Sequence, residues 1–179
     1  VTYTLKSVTK SQKVTVTFKK SNTTKNWNNP FTDVSATDSY YSAVKFVYEN
    51  NLFKGTTTTK FGPDTTMTRA MFVTVLGRLA GVDVSRFKTS SYSDVPINAT
   101  TTWYAPYVEW ATQMGLVEGY GDGKFGPDNK ITHQQMYVLM YKYSIFVENK
   151  KTNISGTSIN ASDAEEVADW AKDAVKYAS

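Results

Sequence analysis

The chain has 179 residues, 40% hydrophobic and 20% charged, an ordinary balance for a soluble globular protein with room for one or two small cores. It has no cysteine and one histidine, which excludes disulfides and thiolate chemistry and leaves no basis for a histidine-built metal site. The formal charge of +4 is spread without a Lys/Arg-rich run, so nucleic acid is not indicated, and no stretch approaches the length of a transmembrane helix.

Residues 1–20 alternate, with Val1, Tyr3 and Leu5 followed by Val14, Val16 and Phe18. They read as two strands, a small N-terminal β hairpin left from a preceding β module, since two strands alone are marginal in water. No signal peptide opens the chain and Val1 falls inside the strand pattern, so the expectation is a piece of a longer protein. Residues 21–30 are polar, Asn/Thr-rich and closed by Pro30, which reads as a linker.

From Phe31 the texture becomes helix–loop–helix. Thr37 or Asp38 is positioned to cap a helix carrying Tyr40, Tyr41, Val44, Val47 and Tyr48, ended by Asn50-Asn51 and Gly55. The turn Lys60-Phe61-Gly62-Pro63-Asp64 follows. Thr68 then caps a second helix with Phe72, Val75, Leu76 and Leu79 on its apolar face, and Gly81 stops it.

The whole pattern recurs. Phe125 follows Phe61 by 64 residues (125 − 61), and the same shift carries Tyr40 to Tyr104, Val44 to Val108, Leu52 to Leu116, Gly55 to Gly119 and Thr68 to Thr132. Agreement in helix faces, turn and loop together marks an internal repeat. Trp170, Val175, Tyr177 and Ala178 match Trp103, Val108, Trp110 and Ala111 at a shift of 67 (170 − 103), behind a capping box at Ser162-Asp163-Ala164-Glu165. The predicted fold is therefore mainly α, with repeats over 31–82 and 92–146 and the first helix of a truncated third over 159–179.

The turn-to-helix junction is the candidate working surface. Arg69, in the first turn of its helix, sits at the wrong end of the helix dipole, a cost of a few tenths to about 1 kcal/mol. A bound carboxylate would reverse that sign, taking N–H groups from Thr68-Arg69-Ala70 and a paired hydrogen bond from the guanidinium. The plainer reading pairs Arg69 with an acidic residue of the next repeat or leaves it in water. The second copy reads Thr132-His133-Gln134: Gln135 can close a capping box, but His133 offers only a largely neutral ring near pH 7. That site is expected to be weaker or vestigial.

Trp103 and Trp170, at helix starts, are the candidates for stacking on a ligand, whereas Trp110 and Tyr177 read as core. Gly119 to Lys124 lacks the ending of a P-loop and the acidic ladder of an EF-hand, so it reads as a turn-rich loop in which Gly119 and Tyr120 line a groove. Asp33, Asp94, Asp64 and Asp128 suit local turn and cap hydrogen bonds. No nucleophile–base pair or metal-ligand set stands out, so neither catalysis nor a cofactor is expected.

The repeats resemble the S-layer homology (SLH) domain family. The resemblance rests on Phe31-Thr32-Asp33-Val34 and Tyr92-Ser93-Asp94-Val95, the aromatic first helix, the Gly55 and Gly119 loops, Phe61-Gly62-Pro63, Phe125-Gly126-Pro127 and Thr68-Arg69-Ala70. It covers roughly Phe31 to Ser179. It implies a pseudo-threefold, three-pronged helical bundle with first helices gathered centrally and grooves between prongs. It also implies non-catalytic anchoring to the bacterial cell surface through secondary cell wall polysaccharide, an anionic partner whose pyruvylated sugar would bring the carboxylate, with no membrane insertion.

The chain departs from the family's Thr-Arg-Ala-Glu at Met71 and at Thr132-His133-Gln134-Gln135, and Ser39 stands where the other copies have tryptophan. At most one groove keeps the usual arginine. The alternative is a degenerate SLH-type protein–protein scaffold without glycan binding.

Overall fold

The computed structural model describes residues 27–150, 154, 159 and 164–178. The hairpin over 1–20, most of the linker and the capping residues Ser162 and Asp163 lie outside the described residues. Among those described, α1 (Tyr41–Glu49), α2 (Arg69–Leu79), α3 (Ala105–Gln113), α4 (His133–Phe146) and α5 (Lys172–Ala178) make a mainly helical structure. The only β pairing among them is an isolated antiparallel bridge between Thr68 and Lys130.

The second helices start where the sequence sets them. Met71 N–H donates to Thr68 Oγ1 at 3.3 Å, and Gln135 N–H donates to Thr132 Oγ1 at 3.2 Å. Thr132 N–H returns a bond to Gln135 Oε1 at 3.1 Å, completing the capping box that Met71 cannot make. α1 starts differently from expectation. Tyr40 is its N-cap and makes no side-chain cap bond, because the Asp38 carboxylate turns back to accept from Ser35 N–H at 2.7 Å.

Each repeat is closed by one carboxylate. Asp33 accepts from Phe61 N–H at 2.8 Å and Gly62 N–H at 2.9 Å, while Asp94 accepts from Phe125 N–H and Gly126 N–H, both at 2.8 Å. These aspartates span a whole repeat half rather than a local turn, as the sequence had suggested. Burial raises the Asp33 carboxyl, but the Phe61 and Gly62 N–H groups and nearby Lys60 outweigh it and hold its pKa below the usual 3.8.

Helix packing runs out of phase with the sequence repeat. α2 packs against α3, so the second helix of the first repeat pairs with the first helix of the second, and α4 packs in turn against α5. The main core joins Phe72, Val73 and Leu76 of α2 to Val95, Val108, Leu116 and Phe125 of the second repeat. A satellite cluster of Phe31, Val34 and Val44 sits under Trp27, whose ring lies 5.1 Å from that of Tyr41.

This pairing corrects the expected face of α2. Leu79 is 51% exposed, while Val73, Thr74 and Gly77 are buried. The approach of α3 is tight at Gly77, where an added Cβ would lie 2.4 Å from Tyr107 Cδ1. The buried arc of α2 is set by two neighbours, α3 on one side and the second repeat's turn on another. Trp110 is core as expected, but Tyr177 is 37% exposed, its ring against Tyr141 at the edge of the α4–α5 pair.

Candidate binding grooves

The start of α2 is sealed by the second repeat. Arg69 N–H donates to Asn129 O at 2.9 Å, Ala70 N–H to Pro127 O at 3.1 Å, and Ile131 N–H to Met67 O at 3.1 Å. The Arg69 side chain continues the joint: Nε donates to Phe125 O and Nη2 to Glu118 O, both at 3.1 Å. Its Cζ lies 4.5 Å from the Phe125 ring centroid and 4.9 Å from that of Tyr120. The cation that the dipole disfavours is offset by two carbonyls and two ring faces.

The expected carboxylate cradle at Thr68-Arg69-Ala70 is thus corrected. Ala70 is 1% exposed and its N–H is taken, Thr68 is occupied as cap and bridge, and Arg69 is 8% exposed. Gly119 and Tyr120 belong to the same joint. An added Cβ on Gly119 would lie 2.5 Å from Lys124 O, and Tyr120 covers the Arg69 guanidinium.

At the α4 start, Thr132 caps the helix and His133 is exposed. Gln134 is drawn to the third segment, its Nε2 donating to Glu166 O at 3.3 Å and its Oε1 accepting from Ala168 N–H at 3.1 Å.

Two grooves open between repeats at matching positions. The first, of about 320 Å³, is lined by Phe53, Lys54, Met71, Thr74, Val75, Arg78 and Trp103, with Gly55 and Thr56. The second, of about 140 Å³, is lined by Val117, Glu118, Gln135, Val138, Leu139, Lys142 and Trp170, with Leu116 and Arg69. The shift of 64 carries the loop and helix residues named for the first onto those of the second, Arg78 onto Lys142, while the shift of 67 carries Trp103 onto Trp170. Each groove therefore has a floor from the second helix, a wall from the loop after the first helix, and an indole from the segment that follows.

Trp103 and Trp170 are 45% and 60% exposed, which suits apolar faces offered to a flat or ring-shaped ligand. The grooves differ in charge. Lys54 and Arg78 make the first one cationic, with Arg78 Nη1 donating to Leu52 O at 3.1 Å. In the second, Glu118 faces Lys142 and the committed Arg69.

Sequence reasoning missed Lys54, Glu118, Arg78 and Lys142. The available signal was a basic residue ten positions after each capping threonine, recurring at the shift of 64 (142 − 78). Among the described residues no group of His, Cys, Asp or Glu could hold a metal ion, and no helix is long and apolar enough to cross a membrane.

Residues 30–71 and 91–136 match the family described as the S-layer homology domain. These two segments are SLH domains.

Relatives sharing this region include a protein named endoglucanase from Bacillus sp. (strain KSM-635), 29% identical over 149 residues, which cover 83% of this chain and 15% of the relative. A cell surface protein of Thermoanaerobacter kivui is 34% identical over 117 residues, 63% of this chain and 15% of that protein. The S-layer protein sap of Bacillus anthracis is 26% identical over 145 residues, 80% of this chain and 16% of that protein. The chain thus spans under a fifth of the length of these curated relatives. The SLH matches end at Met71 and Met136, so the groove cations Arg78 and Lys142 lie beyond them, whereas Lys54 lies within the first.

Proposed function

We propose that the chain is a non-catalytic anchoring module that holds a secondary cell wall polysaccharide, anionic and pyruvylated, in the two grooves between its SLH repeats. The supporting observation is that both grooves recur at the repeat shifts with an exposed indole and a basic side chain in each. A pyranose face would stack on the indole while its carboxylate meets the cation, a pairing strengthened by the apolar floor. The first groove, with Lys54 and Arg78 and no facing carboxylate, is the stronger anion site; Arg69 contributes by building the joint beside the second.

In this reading α5 opens a third prong of a pseudo-threefold bundle, and the protein works outside the cell on the bacterial wall. The packing of α5 on α4, matching that of α3 on α2, supports it. Surface and S-layer proteins among the relatives support a wall-associated site of action.

The test is retention on purified cell walls before and after mild acid removal of pyruvyl ketals. Retention that survives removal unchanged, or never occurs, rejects the reading. The scaffold alternative draws on one observation, that Arg69 directs its Nε and Nη2 donors inward. It predicts wall retention indifferent to Trp103→Ala and Lys54→Glu.

A further inference from the structure

Lys54 and Arg78, the cations of the first groove, also line a second space. It is an open cleft of about 490 Å³, within the range of about 300–1,000 Å³ usual for small-molecule sites. Asn50, Asn51 and Tyr107 share its lining with the two cations, and Gly81 and Val82 complete it. Every residue around it is thus among those described. The groove on the Trp103 side is apolar at Phe53, Met71 and Val75, whereas this cleft presents two amides, a phenol and two cations. Arg78 stands where one chemistry gives way to the other.

The polar groups are held in place. Arg78 Nη1 donates to Leu52 O at 3.1 Å, which orients the guanidinium, and its Cζ lies 6.0 Å from the Tyr107 ring centroid. The Tyr107 ring is pressed on α2 at Gly77, where an added Cβ would meet Cδ1 at 2.4 Å, so its phenol oxygen has a set position. Asn50 Nδ2 donates to Phe46 O at 2.8 Å, which leaves Oδ1 as an acceptor. Groups ordered before a ligand arrives lower the cost of binding it.

The charge balance narrows the ligand. α1 has its C-cap at Asn50 and α2 at Ala80, so the carbonyl ends of two helices bring partial negative charge beside the cleft. Lys54 and Arg78 offset that charge instead of leaving a surplus for an anion. Groups that both donate and accept suit such a lining, and sugar hydroxyls do both.

The second copy differs. The shift of 64 carries Asn50, Asn51 and Lys54 onto Met114, Gly115 and Glu118, and the shift of 67 carries Tyr107 onto Ala174. Of the five polar groups only Arg78 keeps its kind, as Lys142.

We propose that the first groove continues past Arg78 into this cleft, which takes the uncharged sugar next to the acidic one in the chain. The first repeat then reads a two-sugar unit, and the second reads one sugar. This rests on the polysaccharide reading above, in which the acidic sugar lies on Trp103. Arg78 serves both sugars, while Asn50, Asn51 and Tyr107 serve only the uncharged one.

The test is calorimetric titration of the 179-residue chain with two pieces cut from purified wall polysaccharide with ketals intact, the pyruvylated sugar alone and that sugar with its neighbour. The two-sugar piece should bind about tenfold tighter, worth about 1.4 kcal/mol. Tyr107→Phe removes only the hydroxyl and keeps the ring against Gly77. Asn51→Gly removes the amide while suiting the left-handed backbone at φ 57°. Each should cut the two-sugar advantage severalfold and leave the affinity for the single sugar unchanged, with the same unfolding midpoint as wild type.

Equal affinity for the two pieces overturns this inference and leaves the anchoring reading standing. Binding of neither piece rejects both. An advantage that survives both variants undiminished overturns the placement of the second sugar in this cleft.

Discussion

Arg69 Nε donates to the carbonyl of Phe125 at 3.1 Å, so the first residue of α2 is held by the turn that opens the second repeat's other helix. With Asn129 O and Pro127 O on the backbone of the same helix start, the joint makes two SLH repeats one folding unit. Arg69→Ala should therefore act on stability before it acts on any ligand. Losing a charged hydrogen-bond pair and two ring contacts should cost about 2–4 kcal/mol. Arg69→Lys should recover less than half, since an ammonium cannot serve both carbonyls in one plane. Urea unfolding followed by circular dichroism measures both. A change within about 0.5 kcal/mol for alanine, the size of a surface substitution, would show that the joint is ornamental.

Gly77 is where α3 comes closest to α2. In an open helix, alanine for glycine would stabilise by roughly 1 kcal/mol. Here the new Cβ would meet Tyr107 at Cδ1 (2.4 Å) and Cγ (3.1 Å), the root of the ring rather than its mobile end. Gly77→Ala should instead destabilise by about 1–3 kcal/mol. Thermal unfolding decides the sign, and a raised midpoint would mean that Tyr107 moves aside at little cost.

The carboxylate of Asp33 gives the first repeat a defined acid limit. Its folded pKa lies below 3.8, so the folded form binds fewer protons than the unfolded chain across that window. The stability it contributes is complete above the unfolded value and is lost as pH falls through the lowered folded one. Asp33→Asn should be less stable than wild type near neutrality, and the gap should narrow in the acid range below 3.8. Denaturation midpoints at matched pH values test this, and a gap that stays constant with pH would refute it.

The charge difference between the grooves can be exchanged. Lys54→Glu gives the first groove the residue of the second, and Glu118→Lys does the reverse. Both positions are exposed, so stability should change little. Retention on wall polysaccharide should fall severalfold for Lys54→Glu and rise for Glu118→Lys, and added salt should shrink both effects. Trp103→Ala should weaken retention without that salt dependence, because stacking carries its contribution. Equal retention for all three variants would remove the grooves from consideration.

The repeat, the two capping threonines, the capping box at Gln135 and the burial of Trp110 were legible in the sequence. Each depends on spacing of a few residues along one helix or on comparison of one copy with the other, so no distant contact is needed. The shifts also pointed to Trp103 and Trp170 as paired positions. They could have pointed to Arg78 and Lys142, had charge as well as apolar pattern been compared.

By itself, then, the sequence determined where the second helix of each repeat begins, how the repeats align and that the fold is helical, because caps, turns and periodicity act through neighbouring residues. Only the tertiary structure decided which side of each helix is buried and what Arg69 does. Its acceptors lie 49 and 56 residues away, and Asp33 and Asp94 reach 28 to 32 residues to close their repeats. A cation at a helix start reads from local electrostatics as an invitation to an anion. The second repeat's carbonyls and aromatic rings answer it first, since folding brings them there before any ligand arrives.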